Sequence, residues 1–117
     1  MKYFPVIACK RQALAKIYDS YFYGNSKIKP LNHDYKTVVP HIYVVRIYGK
    51  TDIQALRTKL LEVGIQTGVH YQPNHWLSYY SENENNANSL QVTEKQYSQL
   101  LTLPLHTDLT EKDVKII

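Results

Sequence analysis

The eight residues 41–48, HIYVVRIY, constrain the fold of this chain more than any other stretch. Valine, isoleucine and tyrosine dominate the run, and side chains that branch at Cβ or carry a ring favour extended backbone. Because the run is nearly continuous in apolar residues, we expect a strand with both faces largely covered. A chain of 117 residues has room for one useful core, so residues 1–117 are predicted to form a single domain.

A helix is predicted directly after this strand. Thr51 and Gln54 have the spacing of a capping box, in which the threonine accepts a hydrogen bond from the helix start and the glutamine reaches back. Gly64 supplies the left-handed residue that ends a helix. Apolar residues recur between these two signals at steps of three and four, which is the period of one helix face. They are Ile53, Leu56, Leu60 and Val63.

Three more segments are predicted to be helical. Residues 10–23 carry apolar side chains at helical spacing, and Gly24 follows them as a stop. Thr93 and Gln96 repeat the capping-box spacing. A last helix is predicted to start within residues 110–113, close to the end of the chain.

Two further strands are predicted, at residues 65–71 and 101–105. Pro104 restricts the second to a sheet edge or a strand end, because proline has no N–H for a sheet hydrogen bond. Residues 26–40 are interpreted as a long connection, and the polar run 81–89 as a mobile surface loop. The resulting order, α–β–α–β–loop–α–β–α, indicates an α+β fold in which a small three-stranded sheet has helices packed on one face.

Charge and cysteine content limit the partners and the location. The formal net charge is +4, but the lysines are scattered, whereas nucleic-acid binders concentrate positive charge on one face. We therefore expect no nucleic-acid partner. Cys9 is the sole cysteine, so no disulfide can form within the chain. Lys10 and Arg11 follow the apolar start too closely for a signal peptide. No apolar run approaches the roughly 20 residues of a membrane span. A cytoplasmic protein without a membrane partner is predicted.

The nine residues GVHYQPNHW, 68–76, are the densest group of functional side chains. His70 and His75 are five positions apart across Pro73, and no cysteine pair or acidic cluster accompanies them, so no metal site is predicted. Cys9 has no flanking signature of a nucleophile, and the four isolated glycines form no phosphate loop.

Two interpretations of this segment remain open on the residues alone. The two histidines can serve packing only, by bonding to backbone and supporting Trp76, while Pro73 fixes a turn. Alternatively, the segment is one part of a reactive or binding site. Local chemistry does not decide between them.

Four segments in series resemble a known family. They are KRQALAKIYDSYF, HIYVVRI, LRTKLLEVGIQTGVHYQPNHWLSYY and VTEKQYSQLLTLPLHTDLTEKDV. Their order and spacing are similar to the C-terminal third of the DegT/DnrJ/EryC1/StrS aminotransferases, which use pyridoxal phosphate (PLP) to aminate keto groups of nucleotide-linked sugars. The resemblance runs from about Lys10 to Ile117. It implies a small C-terminal α/β domain that, in a fold-type-I enzyme, closes over a large cofactor-binding domain.

The resemblance assigns a role to the segment 68–76. His70, Tyr71, Pro73 and His75 match the family's His-Tyr-x-Pro-x-His segment, which implies a place at the mouth of the cleft that holds cofactor and substrate. His70 is the expected side chain facing that cleft, with Tyr71 beside it. The matches of His41 and His106 imply structural roles.

The same resemblance places the chemistry outside this chain. It implies that the Schiff-base lysine, the acidic partner of the pyridine nitrogen and the phosphate-binding residues lie in the large domain, and no lysine here sits in a matching motif. We therefore predict no catalytic residue and no cofactor bound by this chain alone. The predicted function is a C-terminal fragment of a sugar aminotransferase, inactive alone, and the predicted partner is a large PLP-binding domain.

The alternative is a stand-alone binding module that docks on a full-length aminotransferase, or that holds a nucleotide-sugar without catalysis. A homo-oligomer is also expected, because eleven tyrosines against two phenylalanines favour half-buried surfaces and interfaces. Sedimentation velocity measures that self-association, and a monomer at high concentration would contradict it.

Overall fold

A central strand, β2 (Tyr43–Ile47), organises a three-stranded antiparallel sheet in the computed structural model, which describes residues 2–81 and 90–117. Strand β1 (Ile28–Pro30) pairs with one edge of β2 and strand β3 (Leu100–Leu103) with the other. The register places Val45 opposite both Pro30 and Leu101. The spatial order of the sheet is therefore β1-β2-β3.

Five helices are present among the described residues. They are α1 (Phe4–Phe22), α2 (Ile53–Glu62), α3 (Ser78–Ser81), α4 (Gln91–Tyr97) and α5 (Glu111–Ile116). A short 3-10 turn, Asn74–Trp76, precedes α3. None of the helices that the structure describes is long and apolar enough to cross a membrane.

The core lies on one face of the sheet. Alternate residues of β2 point to this face and are buried, while those between them are half-buried. Helices α1 and α5 supply the other side of the core, and apolar residues of α2 pack at its margin. The predicted α+β fold, with helices on one face of a three-stranded sheet, is confirmed. The principal members of the core are Leu14, Ala15, Tyr18, Tyr43, Val45, Ile47, Leu101, Leu103 and Val114.

Two core tyrosines show why this chain uses tyrosine in its interior. The hydroxyl of Tyr18 donates to the carbonyl oxygen of Pro104 at 2.9 Å, and that of Tyr43 donates to Oδ1 of Asp19 at 2.6 Å. Each ring therefore fills apolar space while its polar tip is bonded. Burial raises the pKa of both tyrosines, so the stability that their protonated forms contribute is present below about pH 10 and is lost at higher pH.

The strand predicted at residues 65–71 is wrong. Only Gly68 pairs with the sheet, through one bridge to Thr102 of β3. Beyond Gly68 the contact with β3 is made by a side chain, because Nδ1 of His70 lies 3.0 Å from Oγ1 of Thr102. The third strand is instead β1, which lies inside the segment interpreted as a connection.

Three helix starts differ from the prediction. Helix α1 begins at Phe4 rather than near Lys10, and it has a proline in its first turn, where a missing N–H costs nothing. The cap of α2 is Asp52 and not Thr51, because Oδ1 of Asp52 accepts from the backbone of the first turn at 2.9 and 3.0 Å. Helix α4 starts at Gln91 and has no side-chain cap, so Thr93 lies inside it.

The strands predicted at 41–48 and 101–105 are present as β2 and β3 but are shorter, since β2 spans Tyr43–Ile47 and β3 spans Leu100–Leu103 and ends directly before Pro104. Two predicted helix boundaries agree with the structure. Gly64 follows α2 with a positive φ of 82°. Thr110 and Asp113 form a reciprocal capping box at the start of α5, with bonds of 3.3 and 2.7 Å. The surface loop predicted at 81–89 falls almost entirely on residues 82–89, which lie outside the described residues.

Candidate functional site

The segment 68–76 is attached to β3 by a two-bond bridge. The backbone N–H of Gly68 donates to the carbonyl oxygen of Thr102 at 2.9 Å, and the N–H of Thr102 donates back to Gly68 at 2.8 Å. Thr102 alternates along β3 with Leu101 and Leu103, so its side chain points to the face of the sheet opposite the core. The bridge lies at the edge of β3, and Thr102, whose hydroxyl contacts the ring of His70, is 5% exposed.

His70 is held on this bridge by its side chain. Nδ1 of the imidazole lies 3.0 Å from Oγ1 of Thr102. The ring also lies against Gly68 so closely that a Cβ at that position would be 2.8 Å from Cε1 of His70. Glycine at this position thus allows the close approach of the His70 ring, which any larger residue would force to move, and no positive φ is involved.

Tyr71 and Pro73 continue the segment with different exposures. Tyr71 is 74% exposed, and its ring meets the His70 ring edge-on with centroids 5.0 Å apart. Pro73 is buried and precedes the 3-10 turn. Tyr71 therefore presents its ring at the surface of the chain, whereas the Pro73 ring is enclosed.

His75 belongs to a second hydrogen-bonded group. Its Nε2 lies 2.8 Å from Oε1 of Glu94, and the same carboxylate oxygen accepts from Nε1 of Trp76 at 3.2 Å. The Trp76 ring packs edge-on against Tyr97, with centroids 5.2 Å apart. Glu94 and Tyr97 are both on α4, so this group fastens the 3-10 turn to that helix.

The electrostatics of this group depend on Glu94. Hydrogen bonds from His75 and Trp76 lower the pKa of the Glu94 carboxyl, with His75 the larger cause. These bonds favour the ionised form. The hydrogen bonds to Glu94 therefore stabilise the fold above the ordinary glutamate pKa of about 4.5. This stabilisation is lost as the pH falls through the lower pKa that Glu94 has in the folded chain.

We expect Glu94→Gln to remove this acid transition. Trp76 is the only tryptophan of the chain, so its emission reports on the linkage. In the unsubstituted chain the emission should shift to the red below about pH 4.5, as Glu94 is protonated. Far-UV circular dichroism checks that the fold persists over the range. Glu62→Gln, an exposed glutamate on α2, is the matched control, and an unaltered transition in Glu94→Gln would contradict the prediction.

An open cleft of about 370 Å³ lies beside the His70 ring. His41 lines this cleft together with His70, and its carbonyl oxygen accepts from the guanidinium of Arg11 at 2.7 Å. The structural role expected for His41 stays a prediction, but its position beside His70 makes it a candidate site residue as well. The other lining residues are Ile42, Gln66, Thr67, Gly68, Thr102, Leu103, Pro104 and Leu105.

His106 lies elsewhere. It lines a different concavity, of about 490 Å³, which is bounded by α5, and its Nδ1 is 4.0 Å from a carboxylate oxygen of Asp108. Its side chain is 54% exposed. The supporting role expected for this histidine stays a prediction. Gln66 and Pro104 line both concavities, but His106 is not among the residues that line the His70 cleft, so it can serve as a reference.

The residues lining the His70 cleft do not fit the reactive parts of PLP. Among the described residues that line it there is neither a lysine amine that could form an imine nor a carboxylate that could pair with a pyridine nitrogen. Within residues 2–81 and 90–117 no cluster of three or more His, Cys, Asp or Glu side chains could hold a metal ion. What the cleft does offer is imidazole and amide groups, which bind oxygen-rich ligands through hydrogen bonds.

Sequence reasoning missed three residues of this site: Gly68, Thr102 and Glu94. Thr102 is 32 positions from His70 and Glu94 is 19 positions from His75, so no local motif joins either pair. A signal was available only for Gly68, because an isolated glycine within a predicted strand often marks a close approach of another group.

Comparison with known proteins is consistent across sequence and structure. The model of the DegT/DnrJ/EryC1/StrS aminotransferase family matches residues 1–117. The chain is 30% identical over 111 residues to UDP-4-amino-4,6-dideoxy-N-acetyl-beta-L-altrosamine transaminase of Campylobacter jejuni subsp. jejuni serotype O:2. The match covers 92% of this chain and 29% of that protein.

Two solved structures match nearly the whole chain. Spr1654 from Streptococcus pneumoniae in its PLP form, described as a sugar aminotransferase, superposes with a TM-score of 0.90 at 29% identity, over 99% of this chain and 30% of its own. Helicobacter pylori PseC, an aminotransferase involved in the biosynthesis of pseudoaminic acid, gives a TM-score of 0.87 at 28% identity, over 98% of this chain and 32% of its own. The chain thus spans about 30% of the length of the relatives it matches.

Proposed function

Because this chain belongs to the DegT/DnrJ/EryC1/StrS aminotransferase family, we propose that it is the C-terminal part of a PLP-dependent sugar aminotransferase and is inactive on its own. One observation carries the proposal: nearly all of this chain superposes on sugar aminotransferases, but it accounts for only about 30% of their length. The substrate class proposed for the whole enzyme is a nucleotide-linked keto sugar, in keeping with the name of the transaminase relative.

The chain's contribution to that enzyme is one wall of the substrate cleft. His70 lines the cleft, Tyr71 lies exposed beside it, and His75 holds the segment against α4, while Pro73 is buried. The cleft has polar groups that can orient a sugar, and its lining lacks the lysine that the cofactor needs. The PLP chemistry therefore belongs to the rest of the enzyme, which would supply the electron sink and the imine-forming amine.

The partner proposed for this chain is the large PLP-binding domain. The first turn of α1 and the residue that precedes it expose four large apolar side chains that would need cover in a complete enzyme. The self-association predicted from the tyrosine content stays a prediction, and this exposed face of α1 is where it would occur. The four side chains are Tyr3, Phe4, Val6 and Ile7.

A chimeric enzyme tests the proposal. The part of PseC that superposes on this chain is replaced by residues 1–117, and amino transfer to the PseC substrate is measured. We expect the chimera to catalyse transfer, because the cleft wall is restored. PseC that lacks the segment is the control and should be inactive. The 117-residue chain alone should catalyse no transfer and should form no borohydride-trappable adduct with PLP.

The outcomes separate the proposal from its alternatives. A chimera that folds and shows the absorbance of bound PLP but transfers no amino group would overturn the assignment. Transfer by the isolated chain, or a stoichiometric PLP adduct on one of its lysines, would overturn its inactivity. Binding of a nucleotide-sugar by the isolated chain, with an inactive chimera, would favour a stand-alone binding module.

A further inference from the structure

We propose that Thr102 and Gly68 are positioning residues that hold the His70 imidazole in one tautomer, with the proton on Nε2, so that the ring presents a hydrogen-bond donor to the cleft. The tautomer is a property of the described chain itself. Its use in orienting a substrate rests on the function proposed above.

The direction of the Thr102–His70 hydrogen bond follows from burial. Thr102 is 5% exposed, and within the described residues its hydroxyl bonds to Nδ1 of His70 at 3.0 Å and to no other group. A hydroxyl has one proton and two lone pairs. A buried proton without an acceptor is costly, whereas an unused lone pair costs far less. The hydroxyl of Thr102 therefore donates, and Nδ1 of His70 accepts.

An accepting Nδ1 fixes the other ring nitrogen. In a neutral imidazole one nitrogen carries the proton and the other does not, so Nε2 of His70 is the N–H. Within residues 2–81 and 90–117 no protein group bonds to Nε2, and the half-buried ring lines the open cleft. In the open cleft this N–H is available to an acceptor oxygen, either of water or of a ligand such as a sugar with hydroxyl or carbonyl oxygens.

Gly68 sets the position of the ring that Thr102 orients. The backbone bridge between the two residues brings the Cα of Gly68 close to the imidazole. A Cβ at this position would stand 2.8 Å from Cε1 and 3.3 Å from Nδ1 of His70. The imidazole ring thus contacts the backbone of Gly68 on one side and the hydroxyl of Thr102 on another. A methyl group at position 68 would displace the ring and break its bond to Thr102.

The experiment is a long-range ¹H–¹⁵N correlation spectrum of the 117-residue chain labelled with ¹⁵N-histidine. At about pH 8.5, two units above the ordinary histidine pKa, exposed imidazoles are neutral and exchange between tautomers. We expect His70 to show an unprotonated Nδ1 and a protonated Nε2, while the exposed His106 shows an averaged pattern in the same spectrum. Loss of one set of signals in His70→Gln assigns the resonances.

Three substitutions identify the cause. Thr102→Val keeps the shape but removes the hydroxyl, and Gly68→Ala displaces the ring, so both should shift the His70 pattern toward the average. Thr102→Ser keeps the hydroxyl and should retain the Nε2–H pattern. A proton on Nδ1 in the unsubstituted chain would overturn the proposal without reference to any variant. An unchanged pattern in a folded Thr102→Val would overturn the role of the hydroxyl.

The chimera separates this inference from the proposed function. If both are right, Thr102→Val lowers kcat/KM of the chimera, and Thr102→Ser restores it. If the tautomer is as proposed but the unsubstituted chimera is inactive, the function fails and the inference stands. If the chimera is active and Thr102→Val matches its kcat/KM, the positioning role is wrong.

Discussion

Leu101→Ala is expected to lower the free energy of unfolding of this chain by about 3 kcal/mol. Leu101 is 2% exposed, and it lies on β3 opposite Val45 in the centre of the core. Alanine at this position removes three carbon atoms and leaves a cavity between the sheet and α1, because a closely packed core relaxes only in part. Urea denaturation followed by Trp76 emission and by circular dichroism measures the change.

Leu61→Ala is the matched control for this prediction. Leu61 lies on α2 with 62% of its surface exposed, so the same substitution removes few contacts and should change stability by no more than about 0.5 kcal/mol. Equal effects of the two substitutions would show that the face of the sheet bearing Leu101 is not the core. The difference tests the fold directly, because it depends on which side of β3 faces the helices.

The parts of the fold with a strong internal period were predictable from the sequence. Strand β2 and helix α2 were both predicted, because their apolar residues form a pattern that a few neighbouring positions establish. Strand β1 was not, since three residues ending in Pro30 carry no alternation that can be recognised. Proline is tolerated there only because β1 lies at the edge of the sheet, and a sequence does not show which strand is at an edge.

Competition between neighbouring groups explains two of the incorrect predictions, the cap of α2 and the strand at residues 65–71. Thr51 and Asp52 are both good helix caps, and the backbone geometry gives the position to the aspartate. Residues 65–71 have the composition of a strand, but strand pairing needs a partner edge and a straight path. Only Gly68 reaches β3 in register, after which the chain turns away.

The candidate site was predictable in its centre and not in its supports. The density of ring side chains at 68–76 and the family resemblance both drew attention to His70 and His75. Their partners Thr102 and Glu94 come from distant segments that the fold brings together. A threonine in a strand and a glutamate in a helix are ordinary residues, so their importance depends on geometry that a linear pattern does not contain.

His70→Ala in the PseC chimera is expected to lower kcat/KM by about 10- to 100-fold, the range that follows from loss of one or two hydrogen bonds to a bound substrate. The substitution removes the Nε2–H group that faces the cleft, and it leaves the hydroxyl of Thr102 without its partner. Because the substituted side chain is half-buried at the surface of the domain, the core should remain intact, which circular dichroism and bound PLP absorbance verify.

His106→Ala is the control that gives this prediction its specificity. His106 is another histidine of this chain, but it is not among the residues that line the His70 cleft and it is largely exposed, so its loss should leave kcat/KM of the chimera unchanged. If kcat/KM falls equally in both variants, the loss is a general effect of removing an imidazole, and the assignment of the cleft is contradicted. A selective loss in His70→Ala that appears mainly in KM would mean that the imidazole binds the substrate's ground state, whereas a loss in kcat would mean that its contact forms in the transition state.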